Sequence, residues 1–339
     1  MAPDPDSERD FAPRTVNSWP GLGDSVRDVV DVNHRALRAA AERLVVDLND
    51  VGIPTWWYGP EFKAGDWDGA ADVSRLFRGF TEDLFCVASD AMVECVAAAC
   101  GVATAGRNYD VADHHGWLTR QSVWNRLRDP VDTVRPSSQT PRSSWSSYEK
   151  GYAVSSQYPH GNVYADRQDT TARYDYDGLG KEQVRALLMS GDEHSIREYS
   201  RVVKSVADDL EGLQERMRAH ANDVSRHWAG PAAERAQRAL KTIYQAVTPL
   251  AEAHHSLGAL ARTCADVVVA PAKARFDHAV AGENWLTDIF QDDDDRSARD
   301  FLRAVDQRFR DEVLARFPRH VRIDLPGLIP AEDRLTYLL

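Results

Sequence analysis

Residues 196–268 read IREYSRVVKSVADDLEGLQERMRAHANDVSRHWAGPAAERAQRALKTIYQAVTPLAEAHHSLGALARTCADVV, and their spacing decides the fold class. Ile196, Tyr199, Val203, Val206, Leu210, Leu213, Met217, His220, Val224 and His227 fall alternately three and four apart. That is the seam of a helix packed at a shallow angle on another. A second seam follows at Ala236, Leu240, Ile243, Val247, Leu250, His254, Leu257, Ala261, Cys264 and Val268. Between them stands Trp228-Ala229-Gly230-Pro231, where glycine relaxes the backbone and proline suits the first turn of a new helix. The stretch predicts an antiparallel helical hairpin, with Pro249 kinking its second arm.

Working outward, a less regular copy of the design lies upstream. Val26, Val30, Asn33, Leu37, Ala40, Leu44 and Leu48 make one stripe, with Asn33 as a polar break. Val73, Phe77, Phe80, Leu84, Val87, Ala91, Cys95, Ala98, Val102, Ala105, Tyr109 and Ala112 make the other. The connection from Val51 to Gly69 holds Trp57-Tyr58-Gly59 and Trp67-Asp68-Gly69, and the second triplet directly precedes the helix. A hairpin alone hides one face of each helix. Two hairpins in one chain therefore predict a mainly α fold in which they pack as an antiparallel four-helix bundle.

Five segments follow from this reading. Residues 1–24 are expected to be a flexible N-terminal segment and 25–113 the first hairpin. Residues 114–193 are a Pro/Ser/Tyr-rich, mostly irregular linker, and 194–280 the second hairpin. Residues 281–339 are an acidic C-terminal extension, with short helices at Trp285–Phe290 and Ala298–Phe317 around an acidic break at Asp292–Asp295, and an extended tail from Val321.

The 339 residues carry a net charge of −12, with a pI of about 5.4, and are 43% hydrophobic. That balance argues against a phosphate-binding or anionic-membrane surface, since both rest on clustered Lys and Arg. No run near the roughly 20 apolar residues of a membrane span is expected, and Met1–Asp10 lacks the basic and apolar regions of a cleavable signal. Cys86, Cys95, Cys100 and Cys264 include no CxxC pair and read as small buried hydrophobes. The pairs His114-His115 and His254-His255 are adjacent, so on a helix they diverge by about 100° and make a poor start for chelation. Asp292–Asp295 lacks the alternation and glycine of a calcium loop and reads as solvated loop. No metalloprotease, hydrolase or phosphate-loop motif is present, so no cofactor, metal or catalytic residue is expected.

Three features standing together resemble the WxG-motif, early-secreted-antigen-like family of type VII secretion substrates. Trp67-Asp68-Gly69 and Trp228-Ala229-Gly230 each lie between two long amphipathic helices. The first unit ends in Arg107-Asn108-Tyr109-Asp110-Val111-Ala112-Asp113, which matches the family's YxxxD/E export signal at Tyr109 and Asp113. The second hairpin has no such tail, and the literal Pro-Glu and Pro-Pro-Glu signatures are missing, though the plan is similar to a fused PE/PPE-type pair. The resemblance covers Ser25 to Asp113 and His194 to Arg275.

What the resemblance implies is a non-catalytic substrate or secretion-associated interaction protein of the actinobacterial type VII pathway, folded in the cytoplasm and then secreted. Its implied partners are the secretion machinery (an ATPase or chaperone) and a WxG-family protein or a second copy, with no nucleic acid and no membrane span. Its implied site residues are Tyr109 and Asp113 for export, and Trp67, Gly69, Trp228 and Gly230 at the turns. In family heterodimers the signal of one partner lies near the WxG turn of the other, so Tyr109 is expected near Trp228 and far from Trp67. Two alternatives stand beside this: a cytoplasmic scaffold or chaperone using the hairpins for binding, and a toxin with its activity in 281–339.

Overall fold

The two seams of residues 196–268 fold as the pair of helices they predict. The computed structural model describes residues 10–22, 32–49, 61–113, 163–164, 174–280, 291–326 and 328. In chain order these form strand β1 (Asp10–Phe11), helices α1 (His34–Asn49) and α2 (Asp68–Asp113), strand β2 (Val163–Tyr164), then α3 (Lys181–Met189), α4 (Glu193–His227), α5 (Pro231–Thr263), α6 (Ala270–Val280), α7 (Gln291–Arg308) and strand β3 (His320–Val321). The described chain is mainly helical.

Helix α4 opens on Asp192, whose carboxylate accepts from the backbone N–H of His194 (3.1 Å) and Ser195 (3.0 Å). Its seam is buried from Ile196 to Val224. The turn works as the residue types dictate: Trp228 is extended, Gly230 takes φ 113°, and Pro231 opens α5. Helix α5 runs through the buried Pro249 without ending. It leads into a wider π-helical turn, Cys264–Val269, before α6, and there the Ala270 N–H reaches back five residues to the Ala265 carbonyl. Pro271 follows at once; its ring crowds the carbonyl four residues back and it has no N–H to give, which accounts for the widening. The buried face steps forward by one residue, so that Ala265 and Val269 join Cys264 and Val268 in the core.

In the first hairpin Asn33 is a cap, not a break within the stripe. Its side-chain oxygen accepts from the Ala36 N–H at 3.1 Å and its carbonyl from the Leu37 N–H at 3.0 Å, so α1 starts there. Val26 and Val30 lie outside the described residues, as does Trp57-Tyr58-Gly59. Helix α2 buries far more than its predicted stripe, adding Phe85, Ala88, Val96 and Ala99. By length and composition it could cross a bilayer, which the sequence reading did not anticipate; 73% of its most apolar stretch is buried inside the protein.

Helix α1 packs against both α2 and α4, and α5 also packs against both. Phe77 stands by Tyr199 (ring centroids 6.1 Å) and the Cys95 thiol by the Met217 sulfur (3.9 Å), so α2 runs parallel to α4.

Three segments depart from the reading of the sequence, and the tail expected to be extended opens as a strand. Within 1–24, residues 10–22 are fastened to α5: the buried Trp19 indole donates to Gln237 Oε1 (2.9 Å), and Arg14 pairs with Glu252 (2.7 Å). The range 114–193 contains α3, whose single face, Val184 and Leu188, is too short to show a period. The acidic run is no break, because it forms the first turn of α7, where carboxylates favour the helix dipole. Asp295 Oδ1 accepts from the Lys181 N–H (2.7 Å) and Asp294 pairs with Lys181 Nζ (3.1 Å), tying α7 to the start of α3. Finally, β3 at the expected extended tail pairs in parallel with β1 and antiparallel with β2.

Gly230 is the turn's most constrained residue. Gly230→Ala should cost about 1–3 kcal/mol, because its backbone lies where L side chains are strained. Urea unfolding followed by circular dichroism checks this; a midpoint equal to wild type would show that the turn relaxes.

Candidate functional site

Trp67 sits at the start of α2, its carbonyl accepting the Ala71 N–H at 2.8 Å. The chain before it is held from outside: the Asp192 N–H donates to the Lys63 carbonyl (3.0 Å), and the Asp66 N–H to Ser190 Oγ (2.8 Å). The indole is buried, folded back over Gly65, where a Cβ would lie 2.0 Å from the ring. Its Nε1–H donates to Asp306 Oδ1 at 2.8 Å, and the Tyr176 hydroxyl donates to Asp306 Oδ2 at 2.5 Å. A Cβ on Gly69 would lie 2.1 Å from Oδ1, so the third residue of this WxG triplet must be glycine for the carboxylate to fit. Beside this, Tyr174 donates to Asp72 Oδ2 (2.5 Å) and stacks on Tyr176, while Trp67 meets Phe309 at 5.9 Å.

Asp306 is only 3% exposed. Burial pushes its carboxyl above the usual value of 3.8, against the pull of the two hydrogen bonds and of Arg310, and the nearby Asp68 adds to the rise. Burial together with the acceptor carboxylates raises both tyrosines as well. Each Asp306 oxygen thus already holds a donor, one from α2 and one from the segment before α3. The arrangement fixes α7 onto the start of α2.

The second triplet is built differently. Trp228 is buried in a small apolar cluster with Leu37, Ala40, Ala41, Val102, Val224 and Ala233, against which Ala103 and Ala105 also pack. Trp228 bridges to Val32, and the Asn33 N–H donates to the His227 carbonyl at 2.9 Å. The turn of the second hairpin therefore meets the start of α1 and the last part of α2. Tyr109 to Asp113 continue α2 beyond that cluster, and the side chains of Tyr109 and Asp113 lie outside the described residues.

The histidine pair diverges as helix geometry requires. His254 is buried, Nδ1 against the Leu250 carbonyl (2.7 Å), and burial lowers it to about 4. His255 faces α4, with Nε2 3.0 Å from Glu211 and 3.9 Å from Asp208. One imidazole and two carboxylates within 4.8 Å of one another are ligand types for a divalent ion, and the same three groups form a surface ion pair once His255 is protonated. Cys95 and Cys264 are buried thiols, raised by burial, as the sequence implied; the Cys86 side chain, His114-His115 and Trp285–Phe290 lie outside the described residues.

Sequence reasoning missed Asp306, Tyr174 and Tyr176. Asp306 had a signal: it lies four residues after Leu302 and three before Phe309, an acid on the apolar face of its helix. Comparison with protein-family models, with curated proteins and with solved structures returns no match.

Removing the carboxylate in Asp306→Ala leaves two buried donors without an acceptor and should cost about 2–4 kcal/mol. Because the folded value is raised, the contribution of Asp306 to stability is full below the ordinary carboxylate range and fades as pH rises through the raised value. Asn has no such titration, so the urea midpoint of Asp306→Asn relative to wild type should climb as pH rises from the ordinary carboxylate value of 3.8 through the raised value. A flat difference would mean that Asp306 titrates normally.

Proposed function

We propose that this chain is a substrate, or a secretion-associated interaction protein, of a type VII secretion system, with no catalytic activity of its own. In this reading its two WxG-type hairpins form a fused pair, folded in the cytoplasm as an antiparallel four-helix bundle before export. The observation that carries the reading is the cluster around Trp228. Val102, Ala103 and Ala105 pack there, on the helix that continues to Tyr109 and Asp113. Tyr109 lies 42 positions beyond Trp67, or about 63 Å along a helix, so the first turn is out of its reach. A receptor could then read Tyr109, Asp113 and the Trp228 turn as one surface, without unfolding the pair.

Two further observations bear on the alternatives. A toxin lodged in 281–339 as a separate unit fits poorly, because Phe309, Val313 and Phe317 lie in the same core as Phe77 and Phe80. A cytoplasmic scaffold would use the same hairpins and differ only in staying inside the cell.

The test is export from a secreting host. Tyr109→Ala should remove the protein from the culture filtrate while leaving its intracellular helicity near wild type. Trp228→Ala should impair export in the same way, and the double variant should be little worse than either. Equal secretion of wild type and Tyr109→Ala would sink the signal assignment, and no secretion of wild type would favour the scaffold.

A further inference from the structure

Helix α1 covers α2 only towards its C-terminal end, where His34 and Leu37 lie against Gly106. At the other end the aromatic side chains of α2 meet the C-terminal segment: Phe317 packs on Phe77 (5.1 Å) and Phe80 (5.3 Å), and Phe309 on Trp67. We propose that Trp67–Gly69 at the start of α2 and the adjoining aromatic face of α2 form a docking site for an amphipathic helix with an extended aromatic end, and that residues 297–319 occupy it as an intramolecular ligand.

The chemistry of the site says what it reads. Two buried donors, the Trp67 indole and the Tyr176 hydroxyl, converge on the two oxygens of one carboxylate. Gly69 leaves a space that Asp306 fills, and a longer acid would drive its carboxylate into the turn. The segment before α3 forms the opposite wall: the Leu179 carbonyl accepts from Arg299 (2.8 Å), and Asp177 pairs with Arg303 (2.6 Å). The ligand is thus a helix with arginines on its first turns and an aspartate where the wall meets the start of α2, followed by Phe309 in a wider turn three positions later and Phe317 in extended chain eleven positions later. This site goes beyond the export reading and does not rest on it, since it gives the first WxG triplet a role inside the chain.

The experiment uses the full chain with its own segment disabled. In Asp306→Lys combined with Phe309→Asp, the site should stand open and bind a fluorescent peptide of residues 297–319 saturably by anisotropy. Wild type, whose own segment competes at high effective concentration, should bind the peptide at least about tenfold more weakly. Adding Gly69→Ala to the double variant should abolish binding, because the new methyl group fills the carboxylate's place. The proposal is overturned if the double variant keeps hydrogen-exchange protection in 231–263 yet ignores the peptide, or if Gly69→Ala changes nothing. Should the double variant lose that protection, Gly69→Ala alone decides: exchange in 298–317 should speed up about tenfold or more while 231–263 stays as in wild type. Unchanged exchange in 298–317, or loss of protection throughout the chain, would each overturn it.

Discussion

Everything else in the molecule answers to one constraint, the apolar girth of α2. A 46-residue helix is about 69 Å long, and this one is buried on more than a single stripe for most of that length. No single partner helix can cover it. α5 packs along part of one side, α1 covers the end near Gly106, and the C-terminal segment covers the end near Phe77. The buried Glu94 marks the reach of that last cover, accepting the Leu328 N–H at 2.7 Å. Apolar burial contributes roughly 25 cal/mol per Å², so leaving half of such a helix uncovered would forgo a large share of the core's stabilisation.

The two Trp-x-Gly triplets solve different problems with the same residue types. At Trp228 the indole is an apolar plug and Gly230 supplies an unusual backbone angle between two helices. At Trp67 the indole is a hydrogen-bond donor, and Gly69 supplies empty space for a carboxylate from far along the chain. Backbone freedom in one case and absence of a side chain in the other are separate uses of glycine, and a triplet pattern cannot tell them apart.

How much could be read from sequence followed the range of the physics involved. The hairpin of α4 and α5 was legible because its period is sustained over nine turns and its stop and start signals are local. The cap at Asn33 was misread as a break because a polar residue on an apolar stripe has the same appearance in both roles. The helix α3 and the two-residue strands were too short to establish any period. The bond between Tyr176 and Asp306 spans 130 positions, and no local signal encodes such a pairing. Asp306 itself could have been flagged, since an acid among Leu302, Val305 and Phe309 must either find donors or stay exposed.

The sheet and the Asp306 contact join residues near 10, 67, 163, 306 and 320, and this has a bearing on synthesis. Phe77 and Phe80, at the aromatic end of α2, leave the ribosome about 240 residues before Phe317, part of their cover. At roughly 5–20 residues per second, that is a delay of about 12–48 s during which Phe77 can rest on Phe62, and later on Tyr199, but Phe77 and Phe80 both lack Phe317. A nascent chain in that interval leaves part of this aromatic face uncovered. Early release or a stalled ribosome would therefore be a greater hazard to this protein than slow helix formation.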